Sequence, residues 1–586
     1  MNYNLQTANQ EQKTPFLQVL KKLWPLIAQE KTIVLFALLA VLVNSAFNLV
    51  APRLIAHTID TYFFTRDYHG VLVFSGIILV LYVFGLLTSY LQTRLMGGVG
   101  QRVLFRLRNQ IFNKIQELPV AFFNQNKAGD LISRINNDTD KINQFFSQGL
   151  VQFIANLFLM AGAAVFMLSL NVRLGAATLA PAVVLVVLTQ VLSGWIKRSN
   201  LSSAQSLGSL SSEIQESLNN FKVIIAFNRR DYFKKRFQEV NAENYHAAVK
   251  AGIANNTFTP VYGLASNVGQ LIVLAYGISL ILSGNFTLGL LVSFISYANQ
   301  FYNPLRQLAA LWTSFQAVLA SWDRVHEILQ LENNLAVQEN VESAQAAVLL
   351  EFRDVAFHYP NGREVLRGVN LQLQAGKTYA LIGPTGGGKT TTASLLARLY
   401  DPTAGAVFMH GRDMRSYTPE ERTQKIGFIL QEPILFTGTV RENILYGNEQ
   451  FAQYDNAQLE AVLHTAGVET LLQRFDQGLD TPLTASGEAV SLGQKQLIAF
   501  MRAVLRNPEI LVLDEATANV DTVTEQLLED ILNHLPAATT KVIIAHRLNT
   551  IKNADEIYFV NAGEVTLAGS MERALDMLLH QKRQGE

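Results

Sequence analysis

The sequence predicts a membrane α-helical domain of six transmembrane helices followed by an α/β P-loop domain. Three observations carry that expectation. At 586 residues the chain is too long for a single core. Only 16% of it is charged, against about 25% in soluble domains, and the deficit falls before residue 330. From Val348 onward short β-like runs alternate with helical segments around one glycine-rich loop. The expected division is 1–330 for the membrane domain, 331–347 for a linker and 348–586 for the α/β domain.

A bilayer core requires about 20 apolar helical residues per span. Thr32–Val50, Val71–Leu91, Leu150–Leu170, Leu174–Ile196, Leu264–Leu282 and Leu288–Phe301 come near that length. None holds Lys, Arg, Asp or Glu, any of which would cost about 2.5–3.5 kcal/mol at mid-membrane. The last stretch is short alone and continues past Pro304 toward Ala310. The gaps 92–149 and 197–263 are long and carry eight and nine basic residues, whereas the short gaps hold only Arg53, Arg66 and Arg173. Positive-inside asymmetry therefore places both long gaps, both termini and the α/β domain in the cytosol. Apolar residues recur at helical spacing beyond the second span (Val103, Leu107, Ile111, Ile115, Leu118). Extensions of about 25 residues would project roughly 35–40 Å beyond the bilayer. The first 30 residues are polar and mixed, without a cleavable signal pattern.

Composition excludes several classes. Lys+Arg and Asp+Glu balance at 47 each, which gives no support to a nucleic-acid partner. Without cysteine there is no disulfide, zinc-thiolate site or thiol nucleophile. The polar residues in or beside the spans are uncharged amides, including Asn44, Asn48, Asn156, Gln270, Asn299 and Gln300. They read either as interhelical hydrogen bonds or as a wet cavity completed by Tyr297, Phe301 and Tyr302, suited to amphipathic substrates.

Chemistry is concentrated in the second domain. A strand expected over Thr378–Ile382 runs into Gly383-Pro384-Thr385-Gly386-Gly387-Gly388-Lys389-Thr390-Thr391 and then a helix. That is the strand–loop–helix context a phosphate-binding loop needs. Its backbone N–H groups can close around phosphate, aided by the helix N-terminus. Lys389 is expected on the β- and γ-phosphates of ATP and Thr390 on Mg²⁺. Downstream, the apolar strand Ile510–Leu513 ends in Asp514 and Glu515. Asp514 is placed to hold Mg²⁺ and Glu515 to polarise the attacking water, a sufficient set for phosphoryl transfer.

Gln431, the run Ser491-Leu492-Gly493-Gln494, Asn519-Val520-Asp521 and His546 complete a pattern that resembles the ATP-binding cassette (ABC) superfamily. Phe436-Thr-Gly-Thr-Val440 and Glu442-Asn443-Ile444 look like the exporter branch that fuses membrane and nucleotidase domains. Gly129–Arg134 with Asp138, and Glu213 with Phe221–Phe227, resemble the two cytosolic loops of those exporters. The resemblance implies that Tyr359 stacks on adenine and that Gln431 senses Mg²⁺ and the γ-phosphate. It implies that His546 binds the γ-phosphate, steadying the water near Glu515, and that Asp521 belongs to the nucleotide site. Ser491, Gly493 and Gln494 are expected to close over ATP held by an opposite chain. Coupling helices are expected near Pro119–Lys127 and Ser212–Phe221.

Two positions depart from the family pattern. The usual Leu-Ser-Gly-Gly-Gln reads Val490-Ser-Leu492-Gly-Gln494, and the family's Gly-Glu just upstream is Thr484-Ala485. A Leu adds bulk where backbone approaches phosphate closely. With Lys389, Glu515 and His546 intact, this resembles one subunit of a heterodimeric exporter with one consensus and one degenerate site. The implied function is ATP-driven efflux of amphipathic or hydrophobic compounds from a bacterial cell membrane. The implied partners are a second half-transporter, membrane lipid and a small amphipathic substrate. A lipid or glycolipid flippase and a homodimeric exporter remain alternatives.

Overall fold

The computed structural model describes residues 3–5, 24–333, 335–338, 348–360, 362, 364–484, 490–514, 522–544 and 551–583. It divides into two compact units. One comprises Gln6–Gln116 and Gly129–Gln330, and the other Met1–Leu5, Glu117–Ala128 and Leu331–Glu586.

The first unit is built on long helices: α1 Lys31–Thr58, α2 Tyr68–Glu117, α3 Leu150–Leu170, α4 Val172–Asn219, α5 Arg230–Asn256, α6 Phe258–Leu282 and α7 Leu288–Gln330. Among the described residues, five helical segments, Trp24–Phe63, Tyr68–Glu117, Ala128–Leu170, Val172–Asn219 and Arg230–Leu282, are long and apolar enough to cross a membrane. In the apolar window of α2 only 6% of residues are buried, with Leu72, Leu79 and Leu86 exposed. Side chains of that kind require hydrocarbon as solvent. The sixth expected span opens α7, whose 43 residues run unbroken through Pro304. Asn299, Gln300 and Asn303 dilute its apolar run, so the amides must be satisfied by neighbouring helices.

They are in part. Gln270 Nε2 donates to Asn299 Oδ1 at 2.8 Å, Gln300 Nε2 to the Asn48 carbonyl at 3.0 Å, and Asn156 Nδ2 to Gln307 Oε1 at 3.0 Å, while Gln300 Oε1 is buried with no hydrogen-bond partner among the described residues. Tyr297 and Tyr302 are buried and donate to the carbonyls of Leu49 and Thr178, at 2.8 and 2.7 Å. These two tyrosines therefore pin α7 to α1 and α4 instead of lining a wet cavity. Phe301 packs beside Tyr302 in the same apolar cluster. The reason is economy of satisfaction: a phenol hydroxyl in hydrocarbon takes a helix carbonyl within reach, which has a second lone pair to offer.

Helices α3 and α4 reverse direction at Asn171, whose side chain accepts from Leu174 N at 2.9 Å and caps α4. Gly175 permits the tight return, since a Cβ there would lie 2.9 Å from the Met167 carbonyl. Below the membrane α4 and α5 run side by side, joined by Arg236–Glu213 at 2.8 Å and by reciprocal Asn200–Asn255 amide bonds. The short helix Phe221–Ala226 closes this hairpin and leaves Phe221, Val223 and Phe227 exposed.

The second unit contains strands β1 Leu350–His358, β2 Glu364–Leu373, β3 Thr378–Ile382, β4 Ala404–Met409, β5 Arg412–Asp413, β6 Ile426–Ile429, β7 Gly438–Thr439, β8 Pro482–Leu483, β9 Ile510–Asp514, β10 Thr540–Ile544, β11 Glu556–Asn561 and β12 Glu564–Leu567. The central sheet has the order β12-β11-β3-β10-β9-β6, parallel except for β12. Its inner strands are buried along their length (Ile510–Asp514, for example), as a sheet covered on both faces requires. An antiparallel sheet, β2-β1-β4-β5, packs beside it. The parallel strands β3, β9 and β10 end together, and in such sheets ligands bind beyond the strands' carboxyl ends. The helix Val120–Gln125 belongs to this unit, where Asn124 Nδ2 donates to the Tyr400 hydroxyl at 2.7 Å.

Candidate nucleotide site

Strand β3 delivers the chain into the glycine-rich loop, and α8 (Lys389–Leu396) leaves it. Gly383 has φ +147°, and a Cβ there would stand 2.0 Å from the Val560 carbonyl of β11. Gly388 has φ +115° and is the residue immediately before α8. Only glycine serves both positions, and together they leave backbone amides at the head of the helix for an anion. We expect Gly383→Ala to abolish nucleotide binding. Binding of a fluorescent ATP analogue at near wild-type affinity would contradict this.

Lys389 is buried and donates from Nζ to the carbonyls of Gly383 and Pro384, at 2.9 and 3.1 Å. Its ammonium is thus held at the mouth of its own loop. Thr390 Oγ1 donates to Asp514 Oδ1 at 3.3 Å, although 124 residues separate the two. Asp514, 4% exposed, closes β9 two strands away from β3. This pair passes a simple test of fit. Cis ligands of an octahedral Mg²⁺ at 2.0–2.1 Å lie about 3 Å apart, so these hard oxygens can share one ion with little movement.

Tyr359 follows β1, and its hydroxyl is 3.1 Å from Thr391 Oγ1 on α8. Its ring makes edge contacts with Phe357 and Tyr400, with centroids 5.0 and 5.4 Å away. Burial pushes the Tyr400 hydroxyl above its ordinary pKa, against the opposing hydrogen bond from Asn124. Motif reading missed Tyr400 and Asn124. No local signal in either segment announces the pair, which 276 residues separate.

Gln431 lies just past β6, the neighbour of β9, and is exposed. Ser491 caps α9 (Leu492–Val504) in a reciprocal box: Gln494 N donates to Ser491 Oγ at 3.2 Å, and Ser491 N to Gln494 Oε1 at 2.8 Å. Gln494 Nε2 also donates to the Arg474 carbonyl at 2.7 Å. Gly493 is buried, Leu492 half-buried, and the Ser491 side is exposed. The helix therefore presents its N-terminus and one hydroxyl outward. Glu515, Asp521 and His546 lie outside the described residues, as does Ala485.

Comparison with known proteins agrees with this geometry. The ABC transporter transmembrane region family matches residues 34–305 and the ABC transporter family matches residues 366–518. An uncharacterised ABC transporter ATP-binding protein of Bacillus subtilis is 32% identical over 96% of this chain and 92% of its own. A multidrug resistance ABC transporter ATP-binding and permease protein of Lactococcus lactis is 31% identical, over 91% and 90%. A fatty acid ABC transporter ATP-binding/permease protein of Mycobacterium tuberculosis is 32% identical, over 84% and 77%. The chain belongs to the ABC transporters, as a multi-pass membrane half-transporter that couples ATP hydrolysis to export.

Proposed function

We propose that this half-transporter exports amphipathic or hydrophobic compounds, and that it supplies the catalytic side of one competent ATP site in a heterodimer. The juxtaposition of Thr390 and Asp514 at the mouth held by Lys389 is the observation that carries the catalytic part. ATP supplies the phosphoryl group and Mg²⁺ the neutralising charge. Residues 383–391 would cradle the phosphates, Lys389 would pair with them, and Thr390, Asp514 and Gln431 would hold the ion. Tyr359 would receive the adenine ring. Glu515 would orient the attacking water, His546 would steady it, and Asp521 would line the same site. Ser491, Gly493 and Gln494 would serve nucleotide bound to the partner. Leu492 beside that hydroxyl supports the view that this second site is the weaker one.

A lipid or fatty-acid exporter is the second reading, favoured by the Mycobacterium relative. Native mass spectrometry of the chain purified from its own membranes tests the assembly. A one-to-one complex with a different half-transporter is expected, in which Glu515→Gln in this chain alone stops ATP turnover. A homodimer with drug-stimulated ATPase would refute the asymmetric assignment.

A further inference from the structure

The P-loop helix α8 stops on a residue that the backbone does not favour there. Arg398 N donates to the Leu395 carbonyl at 3.0 Å, and Leu399 N to the Ser394 carbonyl at 2.8 Å. That pair of bonds ends a helix through a left-handed residue, which is usually glycine. Here it is arginine, at φ +51°. An L side chain is strained in that region, so it is held there by what surrounds it.

What surrounds it includes the chain that arrives from α7. The Arg398 side chain is 2% exposed, and every nitrogen of its guanidinium donates. Nε donates to Asp401 Oδ1 at 2.9 Å, and Nη1 to the carbonyls of Met414 and Arg415 in the turn after β5, at 3.2 and 3.1 Å. Nη2 donates to the carbonyls of Leu335 and Ala336, at 3.3 and 3.1 Å. The same stretch is held at two further points. Gln338 N donates to the Arg415 carbonyl at 2.9 Å, and the buried Tyr3 donates its hydroxyl to the Glu332 carbonyl at 3.0 Å. A segment that only tethered two domains would need none of these bonds. The boundary between the two compact units falls between Gln330, the last residue of α7, and Leu331.

We propose that Arg398 is a positioning residue that passes nucleotide occupancy of the glycine-rich loop to α7, through the backbone that it grips. Phosphate in the loop fixes the N-terminal end of α8. A helix of eight residues, about 12 Å long, then moves as one piece. Arg398 at its far end carries the carbonyls of Leu335 and Ala336 with it. Glu332, held by Tyr3, is two residues from Gln330, which leaves little chain to absorb a displacement before α7 feels it. Lysine could not replace this arginine, because one ammonium cannot serve a carboxylate, a turn and a passing backbone at once. The inference rests on nucleotide binding at residues 383–391, and on nothing about the partner or the transported compound.

Hydrogen–deuterium exchange of the full-length assembly in lipid nanodiscs, with and without ATP and Mg²⁺, tests this. In the wild type, ATP should change exchange both at residues 383–391 and at residues 321–330, the last turns of α7. Gly-Ser-Gly-Ser inserted between Gln330 and Leu331 breaks none of the bonds above. It should keep the first response and cut the second by at least about fivefold, the lower end for coupled sites. Arg398→Gln should do the same while changing the ATP KM by less than about twofold. The insertion and the substitution together should do no more than either alone, as members of one path. If Arg398→Gln does not assemble, Arg398→Lys, which keeps a charge beside Asp401, takes its place. A response at 321–330 that keeps more than half its size in the insertion variant would overturn the inference, as would its absence from the wild type. Loss of both responses together on substitution of Arg398 would make the residue structural only, and would also overturn it. No response at 383–391 in the wild type would mean that the loop holds no nucleotide, and the reading beneath the inference would fail with it.

Discussion

Lys389→Met should lower ATP turnover by roughly 10²–10³-fold, the loss typical of removing one charged or hydrogen-bonding group aimed at the transition state. Methionine keeps most of the buried stem, so packing against α8 is preserved while the ammonium is lost. The side chain is 6% exposed, and its Nζ is held by two carbonyls of its own loop. The charge therefore waits where phosphate would arrive and needs no large rearrangement to meet it, which is the condition for preorganised stabilisation. Without the ammonium, those carbonyls would face the phosphates uncompensated. Loss of nucleotide affinity should thus accompany the loss of rate. ATP hydrolysis by the purified assembly checks the first, and titration with a fluorescent nucleotide the second. Turnover within threefold of wild type would show that the lysine has no transition-state role here.

That lysine was legible because its chemistry is local. The expected strand Thr378–Ile382 is β3 with the same bounds, and the glycine-rich loop follows it into a helix at Lys389. Strand–loop–helix order is a short-range property of sequence, and so is the run Ile510–Leu513 that delivers Asp514. The meeting of Thr390 with Asp514 was expected from the motifs, but its physical cause is the register of three parallel strands, β3, β10 and β9. Contacts without a motif were not legible. Asn124 and Tyr400 meet across 276 residues, and nothing local in either segment announces the other. For Tyr297 and Tyr302 the sequence leaves two readings open, for a different reason. In a span, a tyrosine facing a cavity and one bonded to a carbonyl have the same neighbours in sequence. Only the carbonyls of Leu49 and Thr178 distinguish them.

Arg134→Met should destabilise the membrane unit by about 3 kcal/mol, the lower end of the range for breaking a buried ion pair from one side. Arg134 is 2% exposed. Its Nε donates to Asp130 at 2.9 Å, and Nη1 donates at 2.8 Å to both the Glu327 carboxylate and the Arg324 carbonyl. Beside it the buried Asp138 accepts from Ser321 Oγ at 2.9 Å and pairs with Arg324. These bonds tie the first cytosolic loop to the last turns of α7. Methionine fills much of the volume but leaves the Arg324 carbonyl without this donor and Glu327 without its cation. Asp130 and Glu327 are partly exposed and can recover water, which is why the lower figure is expected. Lysine should rescue less than half of the loss, because one ammonium cannot reproduce a planar fork serving three acceptors. The thermal inactivation midpoint of the detergent-solubilised assembly reads the effect. A double-mutant cycle with Glu327→Gln should return a coupling above about 1 kcal/mol. Coupling near zero would mean that the bond to Glu327 adds nothing beyond packing and the bonds to Asp130 and the Arg324 carbonyl. The number of substrate molecules moved per ATP, measured in the same variants, separates two roles. A loop and helix end that must move as one body lose coupling when the clamp is cut, whereas a clamp that only stabilises the fold leaves that ratio unchanged in the surviving molecules.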